Sequence, residues 1–266
     1  MATVNVRIAS AMAAAALCLS AADSGAGECR VQSPAHRVTV VELYTSEGCD
    51  SCPPADRWFS TLPQQGVLPE MAVLLAFHVD YWNQLGWPDR FSQASFSRRQ
   101  RDVATRASSG VIYTPQLVLD GRDLRQEYSV ERLRTKLAAI NREPGRAKIR
   151  ADVYSSANEV RISGEVEVFR PPQGTSVQTW IALFENGLSS RVTAGENAGK
   201  LLNHDYVVRE LAGPFPSGTD GRAQLEHRIR RSSSWKAEHT GVAIFVERLD
   251  TGEVQEASAL YPLCAS

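Results

Sequence analysis

VTVVELYTSEGCDSCPP, residues 38–54, combines the patterns of a strand, a loop and the start of a helix. The β-branched and apolar run Val38–Tyr44 is typical of a buried strand. Proline is tolerated in the first turn of a helix, so the segment Pro53–Leu62 is predicted to be helical. A second continuous apolar run, Met71–Val79, predicts another strand, which completes a strand–helix–strand unit.

The rest of the N-terminal half extends this unit. Asp89–Ala107 has helical character, and Gln116–Leu119 is a short strand. The turn at Asp120-Gly121 predicts a return strand over Arg122–Gln126. A helix is predicted from an N-cap at Ser129 to Asn141. These elements predict an α/β domain over residues 37–144.

Beyond Pro144 the sequence pattern changes to short, often alternating apolar runs without a long helix. Seven strands are predicted, at Lys148–Tyr154, Glu159–Phe169, Val177–Glu185, Tyr206–Leu211, Ala223–Ile229, Val242–Leu249 and Val254–Leu260. Such a series is typical of a β-sandwich or a similar all-β module. The sequence therefore predicts a second, all-β module over residues 146–262.

The composition narrows the classes of partner. The chain has 266 residues, with 29 basic and 30 acidic side chains and a formal net charge of −1. This balance gives no reason to expect nucleic acid or an anionic membrane as a partner. Residues 1–22 have a basic Arg7, a short Ala-rich apolar run and small residues at the end, which predicts a signal peptide. We therefore expect an exported protein, periplasmic or secreted, that does not insert into the membrane after the signal is removed.

The spacing Cys49-x-x-Cys52 lies between the first predicted strand and the first helix. A helix N-terminus has free N–H groups and a positive dipole end, and both favour a thiolate. We expect Cys49 to be the attacking nucleophile and Cys52 to resolve the mixed disulfide. A structural disulfide and half of a zinc site are the alternatives. Cys29 and Cys264 either pair with each other as a structural disulfide or remain two free thiols.

The N-terminal half resembles a thioredoxin-like domain, on the Cys-x-x-Cys site and on the segment VIYTPQL, residues 111–117. The expected fold class is therefore an α/β thioredoxin-like domain followed by an all-β, sandwich-like module. The resemblance implies that Pro115 is a cis-proline beside the cysteines. It also implies that Thr114 and Pro115, with Trp82, shape a substrate groove.

More narrowly, the segments ELYTSEGC, FHVDYW and LGW, at residues 42–49, 77–82 and 85–87, resemble a bacterial secreted family of unknown function, DUF1223. The segments Gly195–Asn197 and Val207–Leu211 fit the β-rich part of that family, but no role follows for the loop at residues 195–199. Asp50 lies between the cysteines where thioredoxin has a different residue. Its carboxylate opposes thiolate formation at Cys49, so we expect a less acidic thiol than in strongly oxidising relatives.

Three functions remain open from the sequence. The first is thiol–disulfide exchange with a thiol- or disulfide-containing protein or a small thiol, without a cofactor, with His78 and Asp50 as auxiliary candidates. The second is copper binding or metal delivery through Cys49, Cys52 and His78, since copper prefers soft sulfur ligands. The third is a non-catalytic binding module in which the Cys49–Cys52 bridge is structural.

Overall fold

The computed structural model describes Met1 and residues 27–108, 110–125, 128–169 and 176–264. Apart from Met1, the predicted signal peptide at residues 1–22 lies outside the described residues, as does Gln126 at the end of the predicted return strand. Within the described ranges, no helix combines the length and the apolar character that crossing a membrane requires.

The described chain forms three sheets and three α-helices. The strands are β1 Gly27–Gln32, β2 Thr39–Thr45, β3 Ala72–His78, β4 Gln116–Leu119, β5 Arg122–Asp123, β6 Ala147–Ser155, β7 Glu159–Val168, β8 Val177–Glu185, β9 Leu188–Arg191, β10 Leu201–His204, β11 Val207–Pro216, β12 Arg222–Arg230, β13 Thr240–Arg248 and β14 Val254–Leu260. The helices are α1 Cys52–Ser60, α2 Ala94–Arg106 and α3 Val130–Ile140.

The largest sheet has eight strands in the order β14-β13-β8-β11-β3-β2-β4-β5. β2 and β3 are parallel, and β11 runs parallel to β3. A four-stranded antiparallel sheet, β1-β6-β7-β12, packs its apolar face against β8 and β13. The third sheet is the hairpin of β9 and β10. Because β1 pairs with β6, the first described strand joins a sheet of the C-terminal half.

The predicted fold class, an α/β thioredoxin-like domain followed by an all-β module, is wrong. The described chain has far more strand than helix, and four strands from each side of Pro144 share the eight-stranded sheet. The physical reason lies at the edge of β3, whose unpaired backbone groups would attract another strand. β11 covers that edge, with Val207 in register with Ala76, whose N–H donates to the Tyr206 carbonyl at 2.8 Å. The boundaries at residues 37–144 and 146–262 stay predictions.

The helices cover opposite faces of the shared sheet. α1 and α3 pack on one face through Phe59 and Leu137, and α2 packs on the other through Phe96 and Val103. Because β2 and β3 are parallel neighbours, their carboxyl ends lie together at one edge of the sheet. In open α/β sheets this edge is where ligand sites form.

A buried arginine joins the two halves below this edge. Arg99 of α2 donates to Glu42 of β2 and to Glu247 of β13, both at 2.9 Å. Its guanidinium also lies 5.1 Å from the centre of the Phe245 ring. All three charged side chains are nearly inaccessible to solvent, so each depends on the others for compensation of its charge.

Candidate functional site

Cys49 and Cys52 form a disulfide in the loop that joins β2 to α1, with their Cα atoms 5.4 Å apart. The loop is tightened by backbone hydrogen bonds from Cys49 to the Ser46 carbonyl and from Cys52 to the Cys49 carbonyl. α1 begins at Cys52 with prolines in its first turn, and its N-cap, Ser51, makes no side-chain cap. Ser51 Oγ instead lies 3.4 Å from Cys49 Sγ. Both cysteines have 0% of their surface exposed in this conformation.

The residues predicted for the substrate groove lie next to this loop. The Thr114–Pro115 peptide bond is cis, the isomer implied by the resemblance. The indole N–H of Trp82 donates to Thr114 Oγ1 at 2.8 Å. A Cβ placed on Gly48 would lie 3.1 Å from Trp82 Cβ, so the loop and the indole need a small residue there. Trp82 thus packs between the Cys-x-x-Cys loop and the Thr114–Pro115 segment.

His78 and Asp50, the auxiliary candidates, occupy very different surroundings. His78 ends β3, is fully buried, and places Nδ1 2.6 Å from Asp89 Oδ2. The same carboxylate oxygen accepts the Glu47 backbone N–H at 2.9 Å. Burial raises the pKa of Asp89, but the neighbouring His78 and the backbone N–H donors outweigh it, so the pKa of Asp89 is lowered. Asp50 is exposed, and only its backbone is held in place.

A loop of the C-terminal half, residues 195–199, covers the Cys-x-x-Cys loop. The buried Asn197 amide donates to the carbonyls of Glu47 at 2.8 Å and Cys49 at 2.9 Å. Its oxygen accepts from Lys200 Nζ at 2.8 Å. Glu196 Oε2 accepts the Asp50 backbone N–H at 3.0 Å. Sequence reasoning singled out this loop without a role, because local patterns do not show what a loop packs against.

Sequence reasoning missed His204 entirely, since it stands alone in the sequence. His204 ends β10 and is 2% exposed. Nε2 lies 3.3 Å from Glu47 Oε1 and Nδ1 lies 3.6 Å from Asp56 Oδ2. The His204 ring centre is 4.9 Å from that of His78. Burial lowers the pKa of His204, but the two carboxylates outweigh it and raise that pKa to about 9.

Glu47 links this buried cluster to the half-buried Trp87. Its Oε2 accepts the Trp87 indole N–H at 2.7 Å, while Oε1 faces His204. Burial raises the pKa of Glu47, but hydrogen bonding to His204 and other neighbours lowers it below its usual value. Glu47 therefore carries its negative charge two residues before Cys49.

The residues named for copper are not arranged as a metal site. In the described part of the chain, no group of three or more His, Cys, Asp or Glu side chains could hold a metal ion. Cys49 and Cys52 are bonded to each other, and His78 is engaged by Asp89. The copper alternative gains no support from these contacts and stays a prediction.

The other two cysteines among the described residues, Cys29 and Cys264, are bonded to each other. Cys29 of β1 and Cys264 lie 6.0 Å apart at Cα and are 235 residues apart in sequence. Their bridge closes most of the described chain into one loop. The bridge joins Cys264 to β1, the edge strand that pairs with β6 in the four-stranded sheet, and it takes no part in the Cys49–Cys52 site.

Two solved structures are similar to this chain. Protein AGR_C_4864 from Agrobacterium tumefaciens is 26% identical, with a TM-score of 0.60 over 86% of this chain and 96% of that chain. HBP35 of Porphyromonas gingivalis is 13% identical, with a TM-score of 0.64 over 87% of this chain and 76% of that chain, a likeness of fold alone. No match among curated proteins reaches significance.

The family comparison covers the Cys-x-x-Cys loop, the cis-proline segment and the covering loop together. A family model described as "Protein of unknown function (DUF1223)" matches residues 40–247. This range runs from Val40 in β2 to Glu247 in β13, and thus includes strands from both halves of the shared sheet. The chain belongs to the DUF1223 family.

Proposed function

We propose that this protein is an exported thiol–disulfide oxidoreductase in which Cys49 is the nucleophile and Cys52 the resolving cysteine. The observation that carries the proposal is the Cys49–Cys52 disulfide at the first turn of α1, joined to the Thr114–Pro115 segment through Trp82. The resemblance of these two motifs to thioredoxin-like sites supports it. Two disulfides are typical of proteins that fold outside the reducing cytosol, which supports export.

The chemistry balances without a cofactor when the partner has two thiols. One substrate thiolate attacks Cys49 Sγ, the Cys49–Cys52 bond breaks, and Cys52 leaves as a thiolate that takes up a proton. The second substrate thiolate attacks the substrate sulfur of the mixed disulfide and releases Cys49. The substrate loses two electrons and two protons to the protein disulfide, and the reverse sequence reduces a substrate disulfide.

Exchange requires a more open conformation than this one. An attacking thiolate must reach Cys49 Sγ along the axis of the disulfide, yet neither cysteine has exposed surface. Trp82 and the loop at residues 195–199 both pack against the Cys-x-x-Cys loop. Displacing residues 195–199 breaks the hydrogen bonds of Asn197 and Glu196 without disturbing the shared sheet.

The same burial favours a second candidate function, a binding module with a structural disulfide. A disulfide that never becomes accessible resists reduction and serves as a brace for the loop between β2 and α1. In this case recognition would lie elsewhere on the β-rich half. The two candidates differ in the stability of the disulfide and in whether Cys49 exchanges with a substrate.

The deciding experiment is the reduction potential of the Cys49–Cys52 couple, together with turnover of a dithiol peptide. Alkylation and peptide mass spectrometry read this couple separately from Cys29 and Cys264. A potential between about −120 and −270 mV, with turnover lost in Cys49→Ser, supports the oxidoreductase. A folded Cys29→Ser/Cys264→Ser variant, which keeps only the Cys49–Cys52 couple and leaves no free thiol at the other bridge, is the control and should retain turnover. A potential below about −300 mV without turnover identifies the disulfide as structural.

A further inference from the structure

A buried cluster of charges lies next to the Cys-x-x-Cys loop. Glu47 precedes Cys49 by two residues, and its side chain is fully buried. Asp56 follows Cys52 by four residues in α1, so the two side chains lie on the same buried face of the helix. Two desolvated carboxylates therefore flank the position where reduction creates thiols.

These carboxylates work against a reactive thiol. A negative charge near a thiol disfavours the thiolate, and the effect is stronger where water is excluded. The thiolate is the form that attacks a substrate disulfide. A reduced Cys49 beside two uncompensated carboxylates would thus be a poor nucleophile at neutral pH.

His204 is placed to cancel one of these charges. Its two ring nitrogens face different carboxylates, at 3.3 Å from Glu47 Oε1 and 3.6 Å from Asp56 Oδ2. Only the protonated imidazole has a donor on each nitrogen. With a pKa of about 9, His204 carries its positive charge at neutral pH. It comes from β10, which packs against α1.

We propose that His204 is a positioning residue of the redox site, whose imidazolium lies between Glu47 and Asp56, cancels one of their two negative charges and so keeps the reduced Cys49 nucleophilic near neutral pH. This inference rests on the proposed thiol–disulfide exchange and adds that the C-terminal half supplies a working part of that site. The observation behind it is geometric, because one buried cation bridges the two carboxylates on either side of the Cys-x-x-Cys sequence.

The other ionisable groups around His204 and Cys49 enter the same balance. His78 lies against His204 and contacts Asp89. The carboxylate of Asp89 is therefore a further negative charge near His204. Three exposed charged residues lie near the Cys-x-x-Cys loop: Asp50, Glu196 and Lys200. These groups stay unchanged when His204 or Glu47 alone is substituted, so they are a constant background in the test.

The test measures the pH midpoint of Cys49 alkylation in the reduced protein. Iodoacetamide labels the thiolate, and mass spectrometry assigns the label to Cys49. The midpoint reports the ionisation of the Cys49 thiol. Easier opening of the loop would raise the alkylation rate by the same factor at every pH, and so would leave the midpoint unchanged. We expect His204→Gln to raise the midpoint by about one unit, which slows alkylation at pH 7 about tenfold. His239→Gln, a histidine away from the site, should leave it unchanged.

Two further variants separate compensation of charge from a structural role. Glu47→Gln with His204→Gln removes one negative and one positive charge, so its alkylation rate should return to within about threefold of the wild-type rate. Glu47→Gln alone should lower the midpoint, and it still tests the proposal if His204→Gln does not fold. Melting temperatures establish which variants are folded.

Two results would overturn the proposal. One is a folded His204→Gln variant with the wild-type midpoint, and the other is a double variant no nearer to the wild type than His204→Gln. A wild-type protein that fails to turn over a dithiol peptide refutes the oxidoreductase instead, because the midpoint needs only a reducible Cys49. The two failures are therefore distinguishable.

Discussion

The loop at residues 195–199 makes a quantitative prediction about access to the disulfide. Asn197 is fully buried, and its amide donates to the Glu47 and Cys49 carbonyls at 2.8 and 2.9 Å. Asn197→Ala removes both hydrogen bonds. At about 1 kcal/mol each, the loss makes opening of the loop easier by about 2 kcal/mol. The bond from Lys200 contributes little, because that exposed ammonium returns to water.

The assay is the rate at which dithiothreitol reduces the Cys49–Cys52 disulfide in the folded protein. When opening and closing are fast, this rate follows the population of the open state. A change of about 2 kcal/mol corresponds to reduction about 30-fold faster in Asn197→Ala. Asn203→Ala, an exposed asparagine in the neighbouring strand, is the matched control and should react at the wild-type rate.

An unchanged rate in a folded Asn197→Ala variant would refute this reasoning. It would mean that opening does not involve the loop at residues 195–199, and that Trp82 or a larger unfolding controls access. A rate that rises equally in Asn203→Ala would point to general destabilisation. The melting temperatures of the two variants separate these outcomes.

Three other predictions concern stability. The folded-state pKa of His204, about 9, exceeds its ordinary value of 6.5. Protonated His204 therefore contributes about 3 kcal/mol to the free energy of unfolding below pH 6.5, and this contribution disappears as pH rises through 9. Urea unfolding from pH 6 to 10 should show this fall in stability, and a flat profile would contradict it. Arg99→Met leaves Glu42 and Glu247 buried without a cation and should cost about 3–5 kcal/mol in chemical denaturation, whereas a loss below 1 kcal/mol would refute that role. Cys29→Ser opens a bridge over 235 residues and should lower unfolding free energy by on the order of 4–5 kcal/mol, with a wild-type melting temperature as the contrary result.

Much of the local structure follows from short-range sequence patterns. The predicted bounds of β2, β3 and α1 agree with the observed ones to within two residues. The predicted helix at Asp89–Ala107 starts too early, since α2 begins at Ala94. The reason is that the Asp89 carboxylate is committed to His78 and to the backbone of the Cys-x-x-Cys loop.

The residues of the candidate site also fall into those visible in the sequence and those that only the tertiary structure brings together. The Cys-x-x-Cys spacing and the TP sequence at residues 114–115 are visible as motifs, because each depends on neighbours in the chain. Asn197 and His204 act across about 150 residues, and nothing adjacent to either one marks it as part of the site. Only the packing of the C-terminal half onto the β2–α1 loop gives them a role.

By itself the sequence determined most of the strands and helices, although not the strands β1, β9 and β10, and it determined which residue types could carry thiol chemistry. These properties depend on the periodicity of apolar side chains and on the start of a helix, both of which are local. The tertiary structure alone decided that the two halves share one sheet and that His204 meets Glu47 and Asp56. A strand's apolar pattern specifies which face is buried, but its free backbone edge accepts any strand that can reach it.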